Sequence, residues 1–215
     1  MDDEHGDLQM TKTPIDADAP DGLSTGTGHR FPELRRSEMS PEQQRVADSI
    51  TAGPRGKLIG PFNAWLRSPE LADRLQKVGE YIRFNSSLPT RLNELAILVT
   101  ARSWGSQFEW WAHARFALDA GLDAAIVDAI AAGRRPERMA ADETIIYDFC
   151  TELRREKKVS NATYEAMRGA FGEQGIVDVI AASGYYDIVS MTLNVAEIPM
   201  PPGAVPLDDL DKPYP

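Results

Sequence analysis

The sequence contains a single cysteine, Cys150, among its 215 residues. One thiol cannot form a disulfide within the chain, and it cannot supply the two thiols of a C-x-x-C redox site. A chain without such pairs fits a reducing compartment. The first residues are acidic and lack the basic and apolar regions of a secretory signal peptide. We therefore expect a cytoplasmic protein.

The sequence also lacks a long hydrophobic run and a basic segment. No stretch reaches the roughly 18 uninterrupted apolar residues that a membrane-spanning helix needs. The formal net charge is −10, and most of it lies in residues 1–39 and 200–215. Proteins that bind nucleic acid need clustered lysine and arginine to neutralise phosphates. We expect neither nucleic acid nor a membrane to be a partner.

What the sequence does contain is a series of helical segments between two irregular ends. Residues 1–38 are rich in Asp, Gly, Thr and Pro and have no hydrophobic period, which predicts a flexible acidic arm. Residues 200–215 include five prolines and predict an irregular tail. Residues 39–199 predict one helical domain, because capping residues separate apolar segments of helical period. No alternating run is long enough for a sheet, so the predicted fold class is all-α.

Capping and breaking residues locate the predicted helices. The triplets Ser40–Glu42 and Ser68–Glu70 each supply an N-cap, a first-turn proline and an early acid. Gly105 and Gly121 mark helix ends, since glycine is common just after the last helical residue. The later helices are predicted at about 90–104, 106–120, 123–132, 141–156, 160–171 and 173–197.

The most informative segment lies on either side of Gly105. Helical spacing of three and four residues places Ser106, Glu109 and His113 on one face. A helix hairpin at Gly105 would bring Glu94 of the preceding helix towards the same face. A carboxylate beside an imidazole favours the charged ring and fixes its orientation, which suits a general acid or base.

This pattern, Glu94-x11-Ser106-x2-Glu109-x3-His113, resembles a motif of the carboxymuconolactone decarboxylase family. Alkylhydroperoxidase D and its relatives in that family have E-x11-C-x2-C-x3-H, so the spacing agrees while both cysteines are replaced. The stretch from Glu109 to His113 resembles the acidic and aromatic stretch of the decarboxylase branch, which lacks the cysteine pair. The resemblance covers about residues 40–198 and implies an alkylhydroperoxidase D-like helical bundle whose site lies on a helix hairpin.

The resemblance implies a lyase that removes carbon dioxide from a small carboxylated lactone or a related acid. His113 would be the acid or base, with Glu109 and Glu94 orienting it, and neither a metal nor an organic cofactor would be needed. Peroxidase chemistry is not expected, because it requires a thiolate and a resolving thiol. The candidates for substrate binding are Ser106, Trp110, Trp111, Arg102 and Arg115.

Other interpretations are open from the sequence alone. Ser106 and Glu109 also form a capping-box pattern, and Arg91 is a possible ion-pair partner for Glu94. His113 is alternatively a histidine of the core. The same His/Glu pair would serve a lactone hydrolase or isomerase, and a helical oligomer that binds ligands without catalysis is a further alternative.

The last predicted helix suggests association between copies of the chain. Apolar residues fall on nearly every side of residues 176–198, which predicts one face in the subunit core and another against a neighbouring copy. Asp178, Asp187 and Asn194 lie within this helix and would be costly in lipid. Members of the family form trimers or hexamers, so the resemblance implies one of these homo-oligomers.

Overall fold

The computed structural model describes residues 30–208 and 210. These residues form eight α-helices and no strand, which confirms the all-α prediction. A 3-10 turn at Arg36–Glu38 precedes them, and a π-helical turn at Tyr81–Asn85 follows the third. The helices are Pro41–Ala52 (α1), Phe62–Trp65 (α2), Pro69–Glu80 (α3), Thr90–Ser103 (α4), Gln107–Asp119 (α5), Ala124–Ala131 (α6), Ala141–Glu156 (α7) and Asn161–Ala196 (α8).

Local capping chemistry explains several of these boundaries. Ser40 caps α1, since its hydroxyl accepts a hydrogen bond from the Gln43 amide and the Gln43 side chain accepts one from the Ser40 amide. Gly105 and Gly121 have φ values of +56° and +88°, which glycine adopts without strain, and they end α4 and α5. The two helices predicted at 160–171 and 173–197 meet at Gly172, whose φ of +67° and ψ of −176° are not helical, so α8 consists of two helices joined across a kink.

Helix α4 is the centre of the domain. Its residues from Leu92 to Arg102 are all buried, because α5, α7 and α8 pack around it. One apolar cluster joins α4 to α6 and α7, and a second joins α1 and α2 to the C-terminal half of α8. The hairpin of α4 and α5 lies between the two clusters and carries the candidate site.

Helix α8 is long and apolar enough to cross a membrane by length and composition alone. However, 56% of its most apolar window is buried within the domain. Its Asp178 accepts hydrogen bonds from the amide and hydroxyl of Ser87 and from the Tyr81 hydroxyl. These contacts are those of a core helix that ties the C-terminal half of the domain to the start of α4.

Both predicted irregular ends contact the domain where they are described. Asn63 accepts a hydrogen bond from the Leu34 amide and donates one to the Phe31 carbonyl, so residues 31–34 of the predicted arm lie against α2. Residues 1–29 lie outside the described residues. In the tail, Gln107 pairs with both the amide and the carbonyl of Leu207, whose side chain is buried in the core.

Candidate functional site

His113 lies between two carboxylates that come from different helices. Its Nδ1 is 2.6 Å from Oε2 of Glu94 on α4, and its Nε2 is 3.0 Å from Oε1 of Glu109, one turn earlier on α5. All three residues are at least 95% buried. The turn at Gly105 folds α5 back onto α4 and brings Glu94 to the ring. The structure therefore brings together the three residues that the sequence predicted as catalytic.

The two carboxylates determine the charge of the imidazole. Burial by itself would lower the pKa of His113, because it disfavours the charged ring. The charges and hydrogen bonds of Glu94 and Glu109 outweigh burial and raise the pKa to about 9. His113 is therefore an imidazolium at neutral pH, with both nitrogens facing acceptors.

A cavity of about 120 Å³ opens beside this cluster. Glu109 and His113 lie in its wall, whereas Glu94 lies behind the imidazole. The rings of Phe116 and Tyr186 meet the His113 ring edge-to-face, at centroid distances of 5.4 and 4.9 Å. The acid/base cluster thus faces a small cavity whose wall combines aromatic and basic side chains.

The predicted substrate-binding residues separate into those on the cavity and those away from it. Trp111 and Arg115 line the cavity. Trp110 packs into the core around α4, because adjacent residues of a helix face different directions. The Arg102 side chain is buried, donates to the Ala131 carbonyl and lies against Gly133. Arg102 and Trp110 are therefore not positioned to contact a ligand in this cavity.

Ser106 is fully buried and does not line the cavity. It precedes α5, but its side chain does not cap the helix, and its Oγ has no hydrogen-bond partner among the described residues. The capping-box interpretation is therefore wrong. Arg91 pairs with Asp142 and Glu143 of α7, so it is not the partner of Glu94 either.

Several residues of the cavity wall were not predicted from the sequence. Arg55 and Lys57 come from the loop before α2, Arg83 from the π-helical turn and Tyr185 from α8. The two basic residues of the loop flank Gly56. This basic cluster is the sequence feature that could have indicated them as cavity residues. Burial raises the pKa of Tyr185 to about 12, with the neighbouring Arg55 acting in the opposite direction.

The single cysteine is remote from this chemistry. Cys150 on α7 is buried and does not line the cavity. Burial raises the pKa of its thiol to about 11, so the nucleophilic thiolate is scarce at neutral pH.

Part of the chain matches a known protein family. Residues 69–140 match the model of the carboxymuconolactone decarboxylase family. The matched segment runs from α3 to the loop after α6, so it contains Glu94, Glu109 and His113. A search of curated proteins found no match.

Proposed function

We propose that the carboxymuconolactone decarboxylase family domain of this chain is a cofactor-free lyase acting on a small carboxylated lactone or a related acid. The observation that carries the proposal is the placement of His113 between Glu94 and Glu109 at the wall of a cavity. Such an arrangement holds a proton donor, already charged, where a small substrate would bind.

Decarboxylation of such a substrate needs an acceptor for electrons. The bond between the carboxylate carbon and the ring carbon breaks, carbon dioxide leaves, and the electron pair moves into the conjugated carbonyl to form an enolate. Both N–H groups of the His113 imidazolium face carboxylates, so Nδ1–H stays with Glu94 while Nε2–H would be shared between Glu109 and the developing oxyanion. The imidazolium then supplies the proton that the enolate carbon takes up, directly or through Glu109, which shares the cavity wall. Glu94 keeps the ring oriented throughout.

The charge state of His113 favours this reaction over lactone hydrolysis. A hydrolase would need a neutral imidazole to accept a proton from water. With a pKa of about 9 and a carboxylate at each nitrogen, His113 is a poor proton acceptor at neutral pH. It is suited to reactions whose first need is a proton donor.

Cysteine-based peroxide reduction is not supported, although relatives of this family use it. Serine and glutamate occupy the two thiol positions, and Cys150 is buried on another helix. We expect no thiol-dependent peroxidase turnover. Robust peroxide reduction that disappears in Cys150→Ser would contradict this prediction.

The proposal is tested with a panel of γ-lactones that carry a carboxylate near a conjugated carbonyl, with release of carbon dioxide measured directly. On an active substrate, His113→Gln should lower turnover by about 10²–10⁴-fold, the usual contribution of a general acid or base. Glu70→Gln, at an exposed position on α3, is the matched control and should leave turnover unchanged. Unchanged turnover in His113→Gln would refute the mechanism, and ring opening without loss of carbon dioxide would favour the hydrolase alternative.

A further inference from the structure

Arg55 is a buried cation whose side chain is incompletely satisfied. It lies in the loop between α1 and α2, is 92% buried, and forms part of the cavity wall. Its Nε and Nη2 atoms are buried and have no acceptor at good hydrogen-bond geometry; the Tyr185 hydroxyl interacts with the guanidinium, but no carboxylate of the described residues pairs with it. Burying charged donors in this way is costly unless an acceptor is supplied. An anionic ligand in the cavity would supply one.

The surrounding helices hold Arg55 in place. The guanidinium carbon lies 5.2 Å from the centre of the Phe62 ring, within the range of a cation–π contact. A Cβ atom at Gly79 would lie 2.4 Å from Nη2 of Arg55 and 2.1 Å from the Tyr185 hydroxyl. The absence of a side chain at Gly79 therefore makes room for both groups. Arg55 therefore lies where Gly79 of α3 approaches Tyr185 of α8.

The charge of the cavity wall also favours an anion. Arg55, Lys57, Arg83 and Arg115 line it together with the imidazolium of His113, against one lining carboxylate among the described residues, Glu109. Arg115 is the more exposed alternative to Arg55, with 45% of its side chain accessible and Asp119 at 3.8 Å. A buried guanidinium with open donors is the stronger anion site, because water screens it less.

We propose that Arg55 is the substrate-binding residue that holds a carboxylate of the ligand. This inference rests on the proposed function, since it assumes that the cavity beside His113 receives the substrate. The bound carboxylate is one that remains on the substrate, because an ion pair with arginine stabilises the anionic group and so opposes its loss as carbon dioxide. Arg55 would thus select acids over neutral lactones and fix their orientation towards Glu109 and His113.

The test measures binding, so that it does not depend on turnover. Isothermal titration calorimetry at pH 7 compares (5-oxotetrahydrofuran-2-yl)acetate, whose carboxylate is on a side chain and is not the one lost from the ring, with its uncharged methyl ester. The proteins are the wild type, Arg55→Met and Arg115→Met. Methionine retains apolar contact with Phe62 and removes the charge and the donors. Arg55→Lys is a fourth protein, which retains the charge without the planar fork.

We expect the wild type to bind the carboxylate at least about 10-fold more tightly than the ester, and Arg55→Met to abolish that preference. Arg55→Lys should retain part of it, and Arg115→Met should retain all of it. Loss of the preference in Arg115→Met but not in Arg55→Met would overturn the assignment. The assignment would also be overturned if the wild type bound neither compound, or bound the carboxylate and the ester equally tightly.

Two further measurements separate this inference from the proposed reaction and from a purely structural role. If the wild type prefers the carboxylate through Arg55 but no lactone of the panel loses carbon dioxide, the site stands and the reaction fails. If the wild type releases carbon dioxide from a lactone but Arg55→Met keeps the wild-type preference for the carboxylate, the reaction stands and the site fails.

Ligand-free Arg55→Met should melt no lower than the wild type, because it loses an unsatisfied buried cation. A marked fall in melting temperature with unchanged preference would show a structural role instead.

Discussion

At the scale of single residues, His113 differs from an ordinary buried histidine in having a carboxylate at each ring nitrogen. A core histidine satisfied by one carbonyl stays neutral, whereas Glu94 and Glu109 together stabilise the cation. The cluster of one imidazolium and two carboxylates carries a net charge of −1. The basic residues of the cavity wall balance this charge and leave room for an anionic substrate.

The charge of His113 can be measured directly. We expect histidine NMR to show one resonance titrating near pH 9 in the wild type. Glu94→Gln and Glu109→Gln should each lower that pKa, because each removes a negative charge next to the ring. Glu70→Gln should not change it. A His113 that titrates near its ordinary value of about 6.5 would contradict the proposed donor role.

Because the pKa of His113 is higher in the folded than in the unfolded chain, it links stability to pH. The folded state binds this proton more tightly, so its contribution to stability is complete below about pH 6.5 and is lost as the pH rises through about 9. We expect the free energy of unfolding to fall between these values in chemical denaturation. His113→Gln should be less stable at pH 6 and should show a flatter profile across this interval. If the free energy of unfolding of the variant falls with pH as steeply as that of the wild type, His113 is not the source of the pH dependence.

The sequence predicts some residues of the site and not others for a physical reason. His113 and Glu109 are one helical turn apart, and Glu94 is reached across one glycine turn, so their meeting follows from local geometry. Arg55 and Tyr185 are 130 positions apart in the sequence. Their contact depends on how closely α3 approaches α8, which helical periodicity does not determine.

At the scale of secondary-structure elements, glycine at position 79 of α3 leaves room for Tyr185 of α8 and for Arg55. We expect Gly79→Ala to destabilise the protein by about 1–3 kcal/mol, because the new methyl group would overlap Tyr185 and Arg55. Gly169→Ala, in α8 with nothing within 4 Å of the added Cβ, is the control and should stabilise by up to about 1 kcal/mol. Thermal unfolding compares the two. If Gly79→Ala and Gly169→Ala changed stability equally, Gly79 would not be a packing constraint.

Most helix boundaries follow from the sequence, because they depend on local chemistry. The cap at Ser40 and the left-handed glycines at 105 and 121 act within a few residues of the ends they define. The four-residue helix α2 and the π-helical turn after α3 were not predicted. Both are too short to show a hydrophobic period, and tertiary packing determines them. The sequence predicted the all-α class, the hairpin of the site and the part of the cavity wall that lies on α5. It did not predict the part that Arg55, Lys57, Arg83 and Tyr185 form.

At the scale of the whole molecule, α8 presents an apolar stripe to the outside of the domain. The stripe consists of Val177, Ile180, Ile188, Met191 and Val195, which are 39–62% exposed and recur at helical spacing. The opposite face packs against α4 and α7. A contiguous exposed stripe of this kind is typical of an interface. We propose that it joins copies of this chain into a trimer or hexamer.

We expect sedimentation at micromolar concentration to show three or six times the chain mass of 23.7 kDa. Met191→Arg should split the assembly without unfolding the subunit, because it places a charge in the stripe. Val205→Arg is the control, since Val205 is 79% exposed but lies outside α8. A wild type that remains a single 23.7 kDa species at micromolar concentration would refute the proposal.

The complete burial of α4 also determines how the site behaves over time. Amide hydrogens in such a helix exchange with deuterated solvent only when the whole domain opens, whereas exposed segments exchange by local fraying. Residues 92–102, including Glu94, should therefore be among the last to take up deuterium. The carboxylate that orients His113 is thus anchored to a slowly exchanging part of the protein. Local breathing at the surface would leave the proton donor aligned, and its alignment would persist for as long as the domain stays folded.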